Sequence, residues 1–401
     1  MDIARLGPEA NGRLVDIAGP GEELDSGWKH KAFVPAPLGA EMPELSPVTF
    51  LQVAEARAAL AALDSTAKRL PNPALLRTPA LQREAQNTSA LEGTYAPLGE
   101  VLTADAGGPR SLELTEILNY VHMANAASDA LADGYPLTVT FLAELQGILM
   151  TTTPLEAVSG TIRDSQVVIG IREDAPVSGH RIHAAEFVPA PPGPLLTDGI
   201  EDLVAWMRDD HAGTIDPVVA AAMSHYQFET LHPFRDGNGR VGRLLIVLQL
   251  TMTGALSEPT LTVSPWFEAR RREYYAALMA VSAAGDWDSY IRFFAAGLAQ
   301  AASRTHTQML DLVEVQAQLR EEVVTAGFRS QNALAVVDIA VANPTFTVAT
   351  VKDELALAAS GASRIVTQLV DPGILSVVDP GAYRKRYFAP RVLDVLLRDS
   401  R

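Results

Sequence analysis

The residues His232-Pro-Phe-Arg-Asp-Gly-Asn-Gly-Arg-Val-Gly-Arg243 decide how this chain reads. They lie between two helical patterns, Val218 to Thr230 and Arg240 to Thr253, and so form a loop that opens the second helix. Gly237, Asn238 and Gly239 tolerate positive φ, which lets their N–H groups converge on an anion. The helix N-terminus that follows adds partial positive charge. Arg240 and Arg243 stand three apart on one face, a turn in, and point toward the same anion. Asp236 supplies a hard oxygen ligand suited to Mg²⁺ beside phosphates. His232 sits at the rim, able to take a proton near neutral pH. The pattern describes a phosphate cradle with a metal ligand and a base. Gly237-Asn-Gly-Arg-Val-Gly242 formally matches the dinucleotide fingerprint, but a helix stands where that fingerprint needs a strand. A P-loop is excluded because no Lys-Ser/Thr pair follows the glycines.

The rest of the chain sets the frame. A length of 401 residues suggests two to four domains. The 48% hydrophobic and 20% charged content is that of a globular protein. A net charge of −16 argues against non-specific binding to nucleic acid or anionic membrane as the main task. The lack of cysteine excludes disulfides, zinc–thiolate sites and cysteine nucleophiles. Neither a membrane span nor a signal peptide is legible, so a cytoplasmic protein is expected.

Residues 1 to about 45 are rich in glycine and proline (Gly7-Pro8, Gly19-Pro20-Gly21, Pro35, Pro37, Pro43) and read as an extended arm. Helical spacing runs from Pro47 to Leu70 until Pro71 and Pro73 stop it. Further helices are expected over Ala80 to Leu91 (closed by Gly93), Leu112 to Asp133 and Leu137 to Met150. Ser165 to Gly170 and Ala185 to Val188 read as a hairpin closed by the Pro189 to Pro194 run. Helices resume at Asp198 to Asp210, around the glycine loop, and at Pro265 to Ala284, Trp287 to Gln300 and Arg304 to Gly327. Leu334 to Ala342, Val348 to Leu357 and Ala362 to Val370 read as three short helices. With a strand pair around Gly381, they suggest a winged helix-turn-helix. His180 and His183 read as exposed loop residues, His225 as a packed one.

His232 to Arg243 matches H-x-F-x-[D/E]-G-N-G-R-x-x-R without a departure, and so resembles the signature of the Fic family. A chance match in a chain of this length is on the order of one in 10⁸. The resemblance covers most of residues 45 to 300. It implies a mainly α-helical enzyme that moves the AMP moiety of ATP onto a Ser, Thr or Tyr hydroxyl of a target protein. The implied fold is a Fic-type helical core with a β-hairpin flap, plus a C-terminal winged-helix-like domain. The expected division is 1–110 (N-terminal arm and inhibitory-helix region), 111–300 (catalytic core) and 301–401 (linker helix and C-terminal domain).

By the same resemblance His232 is the general base and Phe234 a buried anchor for the loop. Asp236 holds Mg²⁺, and Gly237, Asn238 and Gly239 cradle the phosphates. Arg240 neutralises the leaving pyrophosphate and Arg243 grips the γ-phosphate, with Val241 and Gly242 in the same nucleotide-binding turn. Thr88-Ser-Ala-Leu-Glu92-Gly93 resembles the family's inhibitory motif. Glu92 would then occupy the fork of Arg243 and leave the γ-phosphate unseated, and a misplacement of about 1 Å can cost roughly 100-fold. Gly160-Thr-Ile-Arg163 followed by Val167-Val168-Ile169-Gly170 resembles the family's flap, whose edge would pair with the target and whose backbone would line the nucleotide pocket. Tyr274 and Tyr275 are implied to stack on adenine, with Ser282 as a polar contact.

Arg384-Lys385-Arg386 beside Tyr387 forms a basic turn in a nearly neutral segment. Target docking or self-association as a homodimer is therefore favoured there over DNA. Two other readings stay open. Glu92 could position a water so that the same pocket removes AMP from a modified protein. Alternatively, the chain could be a nucleotide-sensing regulator that binds DNA.

Overall fold

The computed structural model describes residues 6–20, 27–69, 74–104, 111–172, 180–328 and 330–398. Pro71, Pro73 and Gly21 lie outside them. In chain order the elements are β1 (Gly12–Gly19), β2 (Trp28–Pro35), α1 (Pro47–Arg69), α2 (Ala74–Leu91), α3 (Leu98–Leu102), α4 (Leu112–Ala132), α5 (Val139–Met150), β3 (Ile169–Ile171), α6 (Arg181–Ala184), β4 (Ala185–Phe187), α7 (Pro194–Arg208), α8 (Pro217–Leu231), α9 (Asn238–Met252), α10 (Ser264–Ala269), α11 (Arg271–Ala284), α12 (Trp287–Thr325), α13 (Gln331–Ala342), β5 (Phe346–Thr347), α14 (Val348–Glu354), α15 (Ala359–Val370), β6 (Ser376–Val377), β7 (Arg386–Phe388) and α16 (Pro390–Leu397). Among the described residues no helix is long and apolar enough to cross a membrane.

The fold is mainly helical, as expected, and its departures have local causes. The N-terminal arm is a hairpin: β1 and β2 pair antiparallel from Gly12↔Pro35 to Gly19↔Trp28. Gly12, Gly19 and Pro35 stand at strand ends, where such residues punctuate a strand without breaking it. A side chain at Gly19 would run into the Trp28 ring. Helix α2 starts six residues before its expected first turn and carries Pro79 inside, giving up one i→i−4 bond. Helix α12 is continuous where a break was expected after Gln300; Ala301 and Ala302 carry it on at no side-chain entropy cost. The helix expected from Pro265 to Ala284 is interrupted at Arg270, which has φ −124° and ψ 33° and lays its guanidinium 3.5 Å above the Trp266 ring.

The described residues fall into two compact units. The first comprises residues up to Ala58, His122–Leu256 and Trp266–Ala299. At its centre α8 and α9 pack side by side, and almost every residue of both is buried. A helix apolar on all sides belongs in the middle of a core. The hairpin β1–β2 packs against β3–β4 through Ala32, Phe33, Ile182, Ala185, Phe187 and Val188. The second unit comprises Ala59–Val121, Ser257–Pro265 and Gln300–Arg401. Its last part runs helix, strand, helix, helix, strand, strand, with a third strand, β5, that the sequence reading lacked; the sheet order is β5-β7-β6.

Candidate active site

Helix α8 begins on Asp216, whose carboxylate accepts the Val218 N–H, with Pro217 at the first helical position. It ends at His232, which turns left-handed at φ 52° and ψ 61°. Pro233 disfavours continuation of the helix through His232. The left-handed turn costs about 1–2 kcal/mol for a residue with a side chain. His232 keeps its N–H on the Phe228 carbonyl at 2.9 Å. Its Nδ1 lies 3.3 Å from the Glu229 carbonyl oxygen. A carbonyl only accepts, so Nδ1 carries the proton and the basic lone pair falls on Nε2.

The loop after His232 is held from inside. Phe234 is fully buried. The Asn238 side chain closes the turn on Phe234: Oδ1 accepts its N–H and Nδ2 donates to its carbonyl, both at 2.8 Å. Gly237 sits at φ 80°, where a Cβ would meet Met150 and Leu149 within 3 Å. Its N–H donates to Asp236 Oδ1 at 2.6 Å. The amides of Asn238 and Gly239, in the first turn of α9, have no intrahelical acceptor and so suit an anion. Arg240 and Arg243 are 2% and 1% exposed. Arg240 Nη2 stands 3.7 Å from Asp236 Oδ1. Both contacts to Asp236 fall on Oδ1, and half its side chain is exposed, which leaves Oδ2 suited to a hard cation. Among the described residues no group of three His, Asp or Glu side chains could hold a metal alone, so a cation here needs phosphate and water for its other ligands. Val241 is fully buried, and Gly242 lets α8 approach so closely that a Cβ would strike Glu229 and Phe228.

Gln146, which the sequence did not single out, and Arg163, expected only as part of the flap, hold this loop. Gln146 donates to the Asp236 carbonyl at 3.1 Å and accepts the Gly160 N–H at 2.6 Å. Arg163 donates to the carbonyls of His232, Ser165, Ala190 and Leu231.

The flap is shorter than expected. Ile169 and Gly170 belong to β3, paired with β4 through Ile169↔Phe187 and Ile171↔Ala185, whereas Val167 and Val168 precede the strand. Ile169 and Phe187 line a cavity with Glu229, Tyr275, Leu278 and Ser282. Tyr274 is placed elsewhere: it is fully buried, stacked on Phe267, with its hydroxyl 2.8 Å from His225 Nε2. A helix presents successive residues about 100° apart, so one of the two tyrosines faces the cavity and the other the core. Ser282 reaches the cavity wall with its hydroxyl 3.0 Å from that of Tyr226. His225 is packed as expected; burial pushes its pKa down to about 3 and Nδ1 meets the Gly242 carbonyl at 3.0 Å. His183 is exposed as expected, but it lies in α6 rather than in a loop, and His180 is half-buried as the N-cap of that helix. His180 accepts the Ile182 N–H and stacks on Trp28, and His183 meets the His30 ring.

In the second unit Thr88 is fully buried on α2. Glu92 is exposed just past the end of that helix, and Gly93 takes φ 90° as its C′ glycine.

Residues 136–250 match the Fic/DOC family, and residues 50–129 match that family's N-terminal region. The chain is 34% identical over 148 residues to protein adenylyltransferase fic-1 of Caenorhabditis elegans, covering 37% of this chain and 24% of that one. It is 30% identical over 214 residues to protein adenylyltransferase Fic of Drosophila melanogaster, covering 52% and 37%. It thus spans between a quarter and two fifths of the length of these curated relatives. In fold it is similar to a Fic family protein from Desulfovibrio desulfuricans, with TM-score 0.54, 21% identity and coverage of 87% of this chain and 98% of that one. It is also similar to a Fic-1 fragment from C. elegans, with TM-score 0.50, 22% identity and coverage of 67% and 74%. In these two stretches, residues 50–129 and 136–250, the chain is similar to the Fic/DOC family.

Proposed function

We propose that this protein transfers AMP from ATP to a Ser, Thr or Tyr hydroxyl of a target protein. The observation that carries the reading is the convergence of three features on one loop: a proton-accepting imidazole nitrogen, two buried guanidinium groups and a helix N-terminus. The hydroxyl oxygen attacks the α-phosphorus in line while its proton passes to Nε2 of His232. The bond from the α-phosphorus to the oxygen bridging to the β-phosphate breaks, and pyrophosphate leaves. The amides at the start of α9 hold the phosphates. Arg240 stabilises the charge that builds on the leaving group, and Arg243 seats the γ-phosphate. Mg²⁺ held by Asp236 would neutralise charge between the α- and β-phosphates. Tyr275, Leu278 and Ile169 form the wall for the base, and the outer edge of β3 takes an extended stretch of the target.

Glu92 is the brake in this reading, its carboxylate competing with the γ-phosphate for the fork of Arg243. Support comes from its place directly after α2, one turn beyond the buried Thr88. The C-terminal part reads as a winged-helix-like module that docks targets or a second copy of the chain.

The test is mass spectrometry of Glu92→Gly incubated with Mg²⁺ and ATP. The protein gains the mass of one AMP, and Glu92→Gly/His232→Ala does not. Equal labelling of the two, or none in either, removes the proposal. Incubation with an AMP-modified target, with and without pyrophosphate, tests for the reverse reaction.

A further inference from the structure

Arg163 holds a full positive charge in the core, 3% exposed, and among the described residues no carboxylate pairs with it. Its partners are main-chain carbonyls. Nε donates to His232 at 2.8 Å, Nη1 to Ser165 at 3.0 Å, and Nη2 to Ala190 and, at 3.4 Å, to Leu231. Its own N–H donates to the Pro233 carbonyl at 2.9 Å. Three stretches meet on this one side chain: the end of α8, the segment entering the flap and the segment leaving it.

Burying a cation away from a counter-ion is costly, so the site needs compensation. The last carbonyls of α8 supply it, since they carry the negative end of the helix dipole. Burial pushes the guanidinium down to about 10, which leaves it charged at neutral pH.

The contact to His232 matters for its torsions. The N–H of His232 is tied to Phe228, which restrains φ; its carbonyl is tied to Arg163, which restrains ψ. With both set, the left-handed turn survives its cost and the ring is delivered to the Glu229 carbonyl, the contact that puts the lone pair on Nε2.

We infer that Arg163 is a positioning residue, which fixes the backbone of His232 and thereby the ring nitrogen it presents, while tying both roots of the flap to the same loop. The inference rests on the AMP-transfer reading for its kinetic consequence but not for its structural one. Lysine cannot replace it, because a single ammonium does not span acceptors arranged around a planar fork.

The test uses the full chain with Arg163→Lys and Arg163→Met, each in the Glu92→Gly background. Nitrogen-15 spectra of the His232 ring, assigned by their loss in His232→Ala, read the tautomer without any turnover. The parent holds the proton on Nδ1, and both variants show shifts averaged between the two tautomers. In the kinetics kcat falls roughly 100-fold, as about 1 Å of misplacement implies. KM for ATP stays within about 3-fold, because the arginines of α9 are intact. Should Arg163→Met not fold, Arg163→Lys, which keeps the charge and most of the volume, decides alone. Unchanged ring signals in a folded variant overturn the inference, as does unchanged kcat where the parent is active. If the parent transfers no AMP, the functional reading fails by itself and the ring spectra still judge Arg163.

Discussion

Asn238 uses one amide twice, as acceptor from and donor to the same buried residue, Phe234. No other side chain of that size offers both groups in one plane. Asn238→Ala leaves an N–H and a carbonyl unpaired away from water, at about 1–3 kcal/mol each. We expect unfolding in urea to lose about 2–4 kcal/mol. Asn238→Asp keeps the acceptor but turns an oxygen toward the Phe234 carbonyl, so it should fail to recover the loss; a variant as stable as the parent would show that the turn is held by something else. At Gly237 the constraint is steric. A methyl at φ 80° meets Met150 and Leu149, and Gly237→Ala should both destabilise the fold and weaken nucleotide binding, measured by calorimetry with MgATP.

His225 joins α8 to α9, with Nδ1 donating to the Gly242 carbonyl and Nε2 accepting from the Tyr274 hydroxyl. Burial first, and then the charge of Arg243, keep it neutral, with a pKa near 3 against an ordinary 6.5. The unfolded chain therefore takes up a proton that the native state refuses. This contribution to stability is complete above pH 6.5 and is lost as pH falls toward 3. Between pH 7 and pH 4.5 it amounts to about 2–3 kcal/mol. Urea titrations at the two pH values should show the drop smaller by that amount in His225→Gln; equal drops would remove His225 as the cause. The flap depends in the same way on β2, whose Phe33 meets Phe187 with ring centres 5.7 Å apart. Phe33→Ala should speed hydrogen exchange at Ile169, Ile171 and Phe187 while leaving α9 protected. The loop and its helices were legible because their determinants are local: glycines for a tight turn, arginines one helical turn apart, apolar residues at helical spacing. The braces were not. Arg163 and Gln146 act on main-chain atoms 69 and 90 residues away, and a carbonyl oxygen has no residue type to read. The N-terminal hairpin was hidden because glycine and proline at strand ends look, in one dimension, like those of an irregular arm.

Over the whole molecule the acidic balance of −16 decides how its C-terminal module meets nucleic acid. Between residues 330 and 395 Lys352, Arg364, Arg384, Lys385, Arg386 and Arg391 are offset by Asp338, Asp353, Glu354, Asp371, Asp379 and Asp394. Three of the cations are already engaged: Arg386 with the Thr103 carbonyl, Arg391 with Glu322 and Gln318, and Lys352 with Asp353 at 3.0 Å. The exposed turn offers Arg384 and Lys385 beside Tyr383. Two phosphate contacts correspond to a salt slope of only about −2, and the surrounding negative field opposes approach. Short helices beside a small three-stranded sheet do not by themselves make a DNA reader, because the affinity for duplex comes first from phosphate neutralisation. We therefore expect random-sequence duplex to give no retarded band with the full chain at physiological salt. A weak shift at low salt should vanish on raising the salt, and Arg384→Ala/Lys385→Ala should abolish it. A shift that survives physiological salt and the double substitution would mean that α15 reads base edges directly, and the docking role assigned to this module would have to give way.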